Sequence, residues 1–204
     1  MDKEYQEIME KARDLSSALG IRSLSIGEIC KKLNIPKTTF SKYVTNKTDL
    51  VEQMLKFERI RFQDIFDEHN FEGVNAIQIL LIVSKEIALR FKDVSPSMTF
   101  DLKKYYPELY NKHFKERQDY IFTKIKINME KGISQGMYRE DLSTELVSRL
   151  YLSRLSDMHN PELFPPEQFS DETLFDFMID YFIRGIGTSE GISFYEKEKE
   201  KYKL

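Results

Sequence analysis

Residues that build covalent or metal-dependent sites are scarce in this sequence. Among its 204 residues there are one cysteine, three histidines and no tryptophan. The single cysteine, Cys30, excludes an internal disulfide and a cysteine-rich metal site. His113 and Glu116 have the spacing of metal ligands on a helix, but one such pair arises easily by chance in a chain with 34 acidic residues. We interpret the pair as solvated surface and expect no metal site and no cofactor.

Long apolar segments and catalytic motifs are also missing. The longest apolar run, AIQILLIV at 76–83, ends at Ser84 and is much shorter than the roughly 18 residues that a membrane span requires. The N-terminal stretch MDKEYQEIMEKARD alternates in charge and has no apolar signal core. No glycine-rich phosphate loop, nucleophile elbow or H-E-x-x-H motif occurs. We therefore expect a cytoplasmic protein that is not an enzyme and has no membrane partner.

The composition is instead typical of an ordered helical protein. Hydrophobic residues make up 41% and charged residues 32%, with 15 Phe and 11 Tyr against only six Pro and eight Gly. This apolar and aromatic content argues against disorder. Apolar residues recur with helical rather than alternating spacing in almost every segment, which predicts an all-α fold of about nine helices.

An amphipathic helix is predicted at the start of the chain. Ile8, Ala12, Leu15 and Leu19 form one apolar stripe, and Gly20 after them is a good helix stop. This helix would support the two shorter elements that follow it.

The next segment has the signals of two short helices joined by a tight turn. Ser25 and Glu28 have the S-x-x-E spacing of a capping box, in which each side chain satisfies a backbone N–H at the helix start. Asn34 predicts a left-handed turn, because Asn tolerates that conformation better than most residues. Pro36 then opens another helix, where its missing N–H loses no partner. Together with the preceding helix, this is the plan of a helix-turn-helix DNA-binding unit.

The last of these helices begins with side chains suited to DNA. Lys37, Thr38 and Thr39 supply polar and cationic groups that can reach base edges and phosphates in the major groove. Phe40 is expected to face inward. Residues 22–47 contain six basic residues and one acid, a net charge of +5 in a chain of net charge −3. The rest of the chain therefore has a net charge of −8 and would repel DNA. This repulsion helps to orient the basic face towards the DNA.

Residues 5–55 resemble the N-terminal domain of the TetR family of bacterial transcriptional regulators. The positions that carry the resemblance are Gly20, Ser25, Ile29 with Cys30, Asn34-Ile35-Pro36, a recognition helix expected to run through Tyr43 and Val44, and Lys47 before Leu50. The resemblance implies a regulator, usually a repressor, that binds a palindromic operator in double-stranded DNA as a homodimer. It also implies that a small ligand bound in a second domain controls the release of DNA.

The resemblance further implies which residues contact DNA. Positions matched by Ser25, Tyr43 and Lys47 hold phosphates in the family, and those matched by residues 37–39 and Lys42 commonly face the groove. Ser41 stands where the family usually has a Tyr, so we expect the DNA contacts of this chain to differ there. The candidate DNA-binding residues are Arg22, Ser25, Lys37, Thr38, Thr39, Ser41, Lys42, Tyr43 and Lys47.

We predict a DNA-binding domain at residues 1–46 and a helical ligand-binding and dimerisation domain at residues 47–204. A helix from Lys47 to about residue 70 would span roughly 35 Å and join the two. Candidate ligand-pocket residues, each more often plain core than ligand contact, are Phe62, Phe66, Phe91, Met98, Phe100, Tyr105, Tyr120, Tyr151 and Met158. They favour a small apolar or aromatic effector.

The last predicted helices have more apolar surface than one core needs. Residues 171–187 carry two stripes, one with Phe175, Met178, Phe182 and Ile186 and the other with Leu174, Phe177 and Tyr181. The surplus favours a twofold dimer, and the alternative is a helix enclosed in one large core. The candidate interface residues are Leu146, Leu150, Phe175, Met178, Phe182 and Ile186.

Two other classes of function remain open at this point. A helical protein-interaction or small-molecule-binding protein without DNA binding would keep the C-terminal surfaces but have no use for exposed cationic and hydroxyl groups at residues 37–39. An enzyme would need a polar cluster in the C-terminal half, and none is visible. The sequence favours a ligand-responsive DNA-binding transcriptional regulator.

Overall fold

The computed structural model describes residues 2–90, 96–158 and 160–202. Within these ranges the chain forms ten α-helices and no strand, so the all-α prediction is confirmed. The expected pocket residue Phe91 lies outside the described residues. The helices are α1 Lys3–Leu19, α2 Ile26–Leu33, α3 Lys37–Phe40, α4 Lys47–Asp67, α5 Ala76–Arg90, α6 Pro96–Tyr105, α7 Pro107–Ser134, α8 Thr144–Asp157, α9 Asp171–Ile186 and α10 Ser189–Glu198, followed by a 3₁₀ turn at Lys199–Lys201.

Local capping explains where the first two helices begin and end. Asp2 caps α1 by accepting a hydrogen bond from the Glu4 backbone N–H at 3.1 Å. Gly20 ends the helix with a φ of 80°, a conformation that a residue without a Cβ adopts at little cost. At α2 both halves of the Ser25–Glu28 capping box are present, as predicted.

The chain divides into two compact units. The first contains Met1–Asp67 and Phe91–Arg117, and the second contains Glu68–Arg90 and Gln118–Leu204. The first unit therefore includes α4 and α6 as well as the predicted helix-turn-helix. The division of roles at residue 46 stays a prediction, because compactness alone does not assign function.

The first unit has a continuous hydrophobic core. Met9 of α1, Ile29 of α2, Phe40 of α3 and Met54 of α4 are all almost fully buried in it. Residues of α6 join the same cluster. Since five helices share this core, the short α3 is held by tertiary packing rather than by its own helix propensity.

One interpretation of the sequence is wrong for this unit. His113 was expected on a solvated surface, but its side chain is half-buried, with Nδ1 3.4 Å from an Arg59 guanidinium nitrogen. Burial, with the nearby positive charges of Arg117 and Arg59, lowers its pKa to about 4. Glu116 is exposed and pairs with Arg59 at 3.0 Å. No group of metal-ligating side chains is found among the described residues.

The second unit is organised around a buried tyrosine. Tyr138 is 2% exposed, and its hydroxyl donates to Asn128 Oδ1 at 3.0 Å while Asn128 Nδ2 donates to the carbonyl of Ala76 at 2.8 Å. A Cβ on Gly132 would lie 2.0 Å from the Tyr138 ring, so only glycine fits there. In the ranges that the structure describes, no helix is both long and apolar enough to cross a membrane.

Candidate nucleic-acid interface

The N-terminus of α2 presents a capped and exposed hydroxyl. Ser25 Oγ accepts from the Glu28 backbone N–H at 3.2 Å, and Glu28 Oε2 accepts from the Ser25 N–H at 2.7 Å. Hydrogen bonds to the Glu28 carboxylate from the backbone and then the side chain of Ser25 hold the pKa of Glu28 below its ordinary value. The Ser25 side chain is exposed at the positive end of the helix dipole, a position that favours an anion such as a phosphate.

The turn between α2 and α3 has the predicted geometry. Asn34 has a φ of 53° and a ψ of 42°, the left-handed conformation expected for it. Pro36 precedes α3 as its N-cap residue. Behind the turn, Phe40 and Val44 are 1% and 2% exposed and anchor the segment in the core of the first unit. The exposed side of α3 then carries Lys37 and Thr38, with Thr39 half-buried.

The recognition helix is shorter than the sequence predicted. We expected helix through Tyr43 and Val44, but α3 ends at Phe40 and residues 41–43 form a turn. Lys42 N–H bonds to the carbonyl of Thr39 in an i to i−3 pattern at 3.2 Å. Ser41 Oγ donates to the carbonyl of Thr38 at 3.2 Å. This side-chain bond competes with the backbone pattern of a longer helix, and it occupies the hydroxyl hydrogen of Ser41.

Arg22 is held in the turn between α1 and α2 by residues of α6. The Arg22 backbone N–H donates to Asp101 Oδ2 at 3.0 Å, and its guanidinium donates to the Tyr105 hydroxyl at 2.7 Å. The guanidinium carbon also lies 4.9 Å from the centre of the Tyr105 ring. Tyr105, expected as a pocket wall, thus lies against an expected DNA contact.

Lys47 stands at the first position of α4, where the resemblance placed it. Its ammonium group donates to the carbonyl of Arg22 at 3.0 Å. Partial burial lowers the pKa of Lys47, while the charges of Asp101 and Glu28 oppose that shift. An ammonium group has three donors, so this bond to Arg22 leaves hydrogens for a phosphate.

Tyr43 and Lys42 both contact acidic groups at the start of α1. The Tyr43 hydroxyl lies 2.6 Å from Asp2 Oδ2 and 2.8 Å from Glu4 Oε2. Lys42 Nζ lies 3.9 Å from the same Glu4 oxygen. Hydrogen bonding to these carboxylates raises the pKa of the Tyr43 phenol and lowers that of Asp2.

The structure brings the candidate DNA-binding residues together in the first unit. A Cβ on Gly27 would lie 3.5 Å from Lys37 Nζ and 3.9 Å from Ser25 Oγ, so the starts of α2 and α3 are neighbours. The bond from Lys47 to Arg22 joins the start of α4 to the same region. Most of the set is exposed, and only Thr39, Tyr43 and Lys47 are half-buried.

The candidate pocket residues are divided between the two units. Phe62, Phe66, Met98, Phe100 and Tyr105 belong to the first unit. Phe62 is 7% exposed and lies 6.2 Å from the Phe66 ring, whereas Phe100 is 60% exposed. The other three, Tyr120, Tyr151 and Met158, belong to the second unit. Their role as pocket walls stays a prediction.

A cavity of about 300 Å³ lies in the second unit, and no feature of the sequence predicted it. It is lined by residues of α5, α9, α10, the final 3₁₀ turn and the residue after that turn: Leu81, Ser84, Lys85, Phe175, Asp176, Phe177, Ile179, Asp180, Tyr195, Lys199, Glu200 and Tyr202. None of the candidate pocket residues is among them. The Tyr195 hydroxyl bonds Asp180 at 3.0 Å, and Lys85 Nζ bonds the carbonyl of Lys201 at 3.2 Å.

The two stripes of α9 have different environments. Phe175 and Ile186, from the stripe expected at a dimer interface, are 9% and 5% exposed and lie in the core of the second unit. Met178 and Phe182 are half-buried, and the Phe182 ring lies 4.9 Å from that of Tyr151. The other stripe is open, since Phe177 is 68% and Tyr181 65% exposed.

On α8 the two candidate interface residues are exposed. Leu146 is 57% and Leu150 is 55% exposed. Among the apolar residues discussed on α8 and α9, the exposed ones are Leu146, Leu150, Phe177 and Tyr181, and we call these four the exposed apolar face. The assignment of an interface stays a prediction, but on α9 the residues available for it are Phe177 and Tyr181 instead of the buried Phe175 and Ile186.

Sequence reasoning missed the acidic partners of the basic residues. Asp2 could have been recognised as the N-cap of α1, because it precedes the first apolar-periodic segment. Asp101 had no local signal, since its contact with Arg22 joins residues 79 positions apart.

Solved structures of transcriptional regulators have a similar fold. A transcriptional regulator from Cytophaga hutchinsonii ATCC 33406 gives a TM-score of 0.68 at 19% identity, over 92% of this chain and 100% of that chain. A putative TetR-family regulator from Rhodococcus sp. gives 0.68 at 12% identity, over 92% and 100%. A putative transcriptional regulator from Saccharomonospora viridis in complex with choline gives 0.69 at 16% identity, over 90% and 97%.

Similarity is found at the level of structure. No protein-family model and no curated protein matches the sequence. At these low identities the likeness shows the fold. The chain has the fold of TetR-family transcriptional regulators, and the fold that the sequence resemblance implied is confirmed.

Proposed function

We propose that this protein is a ligand-responsive transcriptional regulator that binds a palindromic operator in double-stranded DNA as a homodimer. The observation that carries the proposal is the capped helix-turn-helix of the first unit, which exposes Lys37 and Thr38 in front of a buried Phe40. The TetR-family fold of the chain supports it. Repression is the expected direction of regulation, as the family resemblance implies.

The proposed contacts divide into two groups. Lys37, Thr38 and Thr39 at the start of α3 would meet base edges in the major groove. Phosphates would be held by Ser25 and Lys47 at the starts of α2 and α4, by Tyr43 and Lys42 in the turn after α3, and by Arg22 in the turn before α2. The Ser41 hydroxyl already bonds the carbonyl of Thr38, so we assign it no phosphate contact.

A homodimer would use the exposed apolar face. Four large side chains that are each more than half exposed, Leu146, Leu150, Phe177 and Tyr181, lie on two helices of the same unit. A twofold axis would place this face against its own copy. Two α3 helices could then meet successive major grooves about 34 Å apart on a palindrome.

A small effector would act by favouring one dimer geometry over another. The Saccharomonospora viridis regulator, which is in complex with choline, is a protein of similar fold that holds a small ligand. The aromatic candidate residues favour an apolar or aromatic effector, and an enzymatic role has no support from the geometry.

Selection of bound fragments from genomic DNA, followed by fluorescence anisotropy at several salt concentrations, tests the proposal. If Arg22, Lys42 and Lys47 each neutralise one phosphate, a dimer releases counterions from about six phosphates, and log K falls against log salt with a slope of about −5. Binding that does not depend on salt, or no duplex binding at all, contradicts the proposal. The second outcome would favour a helical interaction protein.

A further inference from the structure

Two carboxylates occupy the groups that the proposed function assigns to a DNA phosphate. Asp2 and Glu4 lie 2.6 Å and 2.8 Å from the Tyr43 hydroxyl oxygen. Glu4 also lies 3.9 Å from Lys42 Nζ. A carboxylate and a phosphate present the same chemistry to these donors, namely anionic oxygens that accept hydrogen bonds and attract an ammonium group.

Helix capping does not account for this arrangement. Asp2 caps α1 through Oδ1, which accepts from the Glu4 backbone N–H at 3.1 Å, whereas the contact with Tyr43 uses Oδ2. An acidic residue in the first turn, such as Glu4, favours the helix dipole without any contact to a second element. The capping and dipole stabilisation of α1 therefore do not require the contacts of Asp2 and Glu4 with Tyr43 and Lys42.

The position of the Tyr43 ring is fixed independently of these carboxylates. Tyr43 packs against the core of the first unit, and its ring lies 5.7 Å from the Tyr5 ring in an edge-on arrangement. The hydroxyl thus has a defined position at the protein surface. Since a phenol has one hydrogen to donate, a phosphate can accept that hydrogen only after the carboxylate that holds it gives it up.

We propose that Asp2 and Glu4 are an internal competitor for DNA, occupying the phosphate position of Tyr43 and Lys42 in the free protein. The competitor weakens binding to every sequence, because it acts on backbone contacts and not on base contacts. The inference rests on the proposed function, since it presupposes that Tyr43 and Lys42 meet phosphates.

The decisive variant is Asp2→Asn with Glu4→Gln, which removes two negative charges and keeps shape. Asn remains a good N-cap residue, so α1 should persist, and far-UV circular dichroism checks this. The matched control is Glu7→Gln with Glu10→Gln, which makes the same charge change at exposed positions of the same helix. Glu7 lies 4.0 Å from Lys11 of the same helix, and within the described residues neither Glu7 nor Glu10 bonds to Tyr43 or Lys42.

Anisotropy with a selected duplex and with a scrambled duplex gives the main readout. Because one unit charge at 4 Å in water changes an equilibrium constant about fivefold, the Asp2/Glu4 variant should bind both duplexes at least about tenfold more tightly at low salt. The Glu7/Glu10 control should gain clearly less. An equal gain in both variants would mean a general charge effect and overturn the proposal, as would no gain in the Asp2/Glu4 variant.

A second measurement does not depend on DNA. The Tyr43 phenol, assigned by comparison with Tyr43→Phe, should titrate at higher pH than an ordinary tyrosine in the wild type and return towards about 10 in the Asp2/Glu4 variant. If Tyr43 titrates at the same pH in the wild type and in the Asp2/Glu4 variant, the contact does not exist in solution and the proposal is overturned. If titration shifts but neither wild type nor variant binds any duplex, the proposed function fails and the competitor fails with it. If the wild type binds DNA, the function stands whichever way the Asp2/Glu4 comparison falls.

Discussion

Phe175 and Phe177 of α9 offer a matched pair for testing the dimer. They are two positions apart on one helix, yet Phe175 is 9% exposed and Phe177 is 68% exposed. If the exposed apolar face is the interface, Phe177→Ala should weaken dimerisation while leaving the fold of each protomer intact. Phe175→Ala should do the reverse and mainly reduce protomer stability.

The magnitudes follow from burial. Fully burying a Phe side chain contributes about 1.5–3 kcal/mol, and two thirds of Phe177 remains to be buried, which leaves roughly 1–2 kcal/mol per copy. A twofold interface contains two copies, so Phe177→Ala should cost about 2–4 kcal/mol, or about 30- to 700-fold in the dimer Kd. Phe175→Ala should cost about 3–5 kcal/mol in the free energy of unfolding.

Sedimentation velocity over a wide concentration range measures the dimer Kd of each variant, and urea unfolding below that Kd measures protomer stability. The expected result is a weaker dimer for Phe177→Ala with an unchanged urea midpoint under monomeric conditions. A wild-type dimer that Phe177→Ala leaves unchanged would show that the exposed apolar face is not the interface. A lower urea midpoint for Phe177→Ala under monomeric conditions would show that the Phe177 side chain is packed within the protomer.

Three further predictions concern the first unit. Lys47→Ala should weaken binding to all duplexes alike and reduce the salt slope of the dimer by about 2, whereas Thr39→Ala should change sequence preference. Anisotropy with a panel of duplexes distinguishes the two effects. A uniform loss of affinity from both variants would refute the assignment of Thr39 to the groove. His113 has its pKa lowered from 6.5 to about 4, so protonation favours the unfolded chain, and stability should be full above pH 6.5 and fall as the pH drops towards 4. His113→Asn should reduce this loss in the free energy of unfolding by at most about 3 kcal/mol, as measured by urea unfolding at a series of pH values. An unaltered pH profile would count against the partial burial of His113. Cys30 is 4% exposed, and burial raises the pKa of its thiol. Iodoacetamide should therefore alkylate Cys30 slowly in the native state and rapidly in urea. Fast alkylation in the native state would place the thiol at the surface.

The sequence predicted those features of the first unit that depend on near neighbours. The Ser25–Glu28 capping box, the left-handed Asn34 and the placement of Pro36 each follow from residues within a few positions of one another. The buried Phe40 follows from apolar spacing. The fold class could be predicted for the same reason, since helical periodicity is a local property repeated along the chain.

Prediction failed where the outcome depends on distant residues. The periodicity of α9 shows two apolar stripes but cannot say which one faces the core, because that depends on the position of neighbouring helices. The contact between Tyr43 and Asp2 joins residues 41 positions apart. The short α3 depends on a competition between the Ser41 hydroxyl and backbone bonding that propensity rules do not resolve.

The contacts of Arg22 suggest how the proposed affinity for DNA could change without a change in sequence preference. Asp101 accepts the Arg22 backbone N–H, Tyr105 accepts from its guanidinium, and Lys47 donates to its carbonyl. Gly20 precedes this turn with a φ of 80°, and a Cβ there would lie 3.0 Å from Asp101 Oδ2, so the turn fits closely against α6.

Movement of α6 would therefore act directly on the proposed phosphate contacts of Arg22 and Lys47, whereas it would reach α3 only through the core that α6 shares with the almost fully buried Phe40. Phosphate contacts position a protein on DNA and carry no sequence information. A signal that acts through α6 should accordingly lower affinity for operator and scrambled duplex by the same factor, and the preference set by residues 37–39 should survive it.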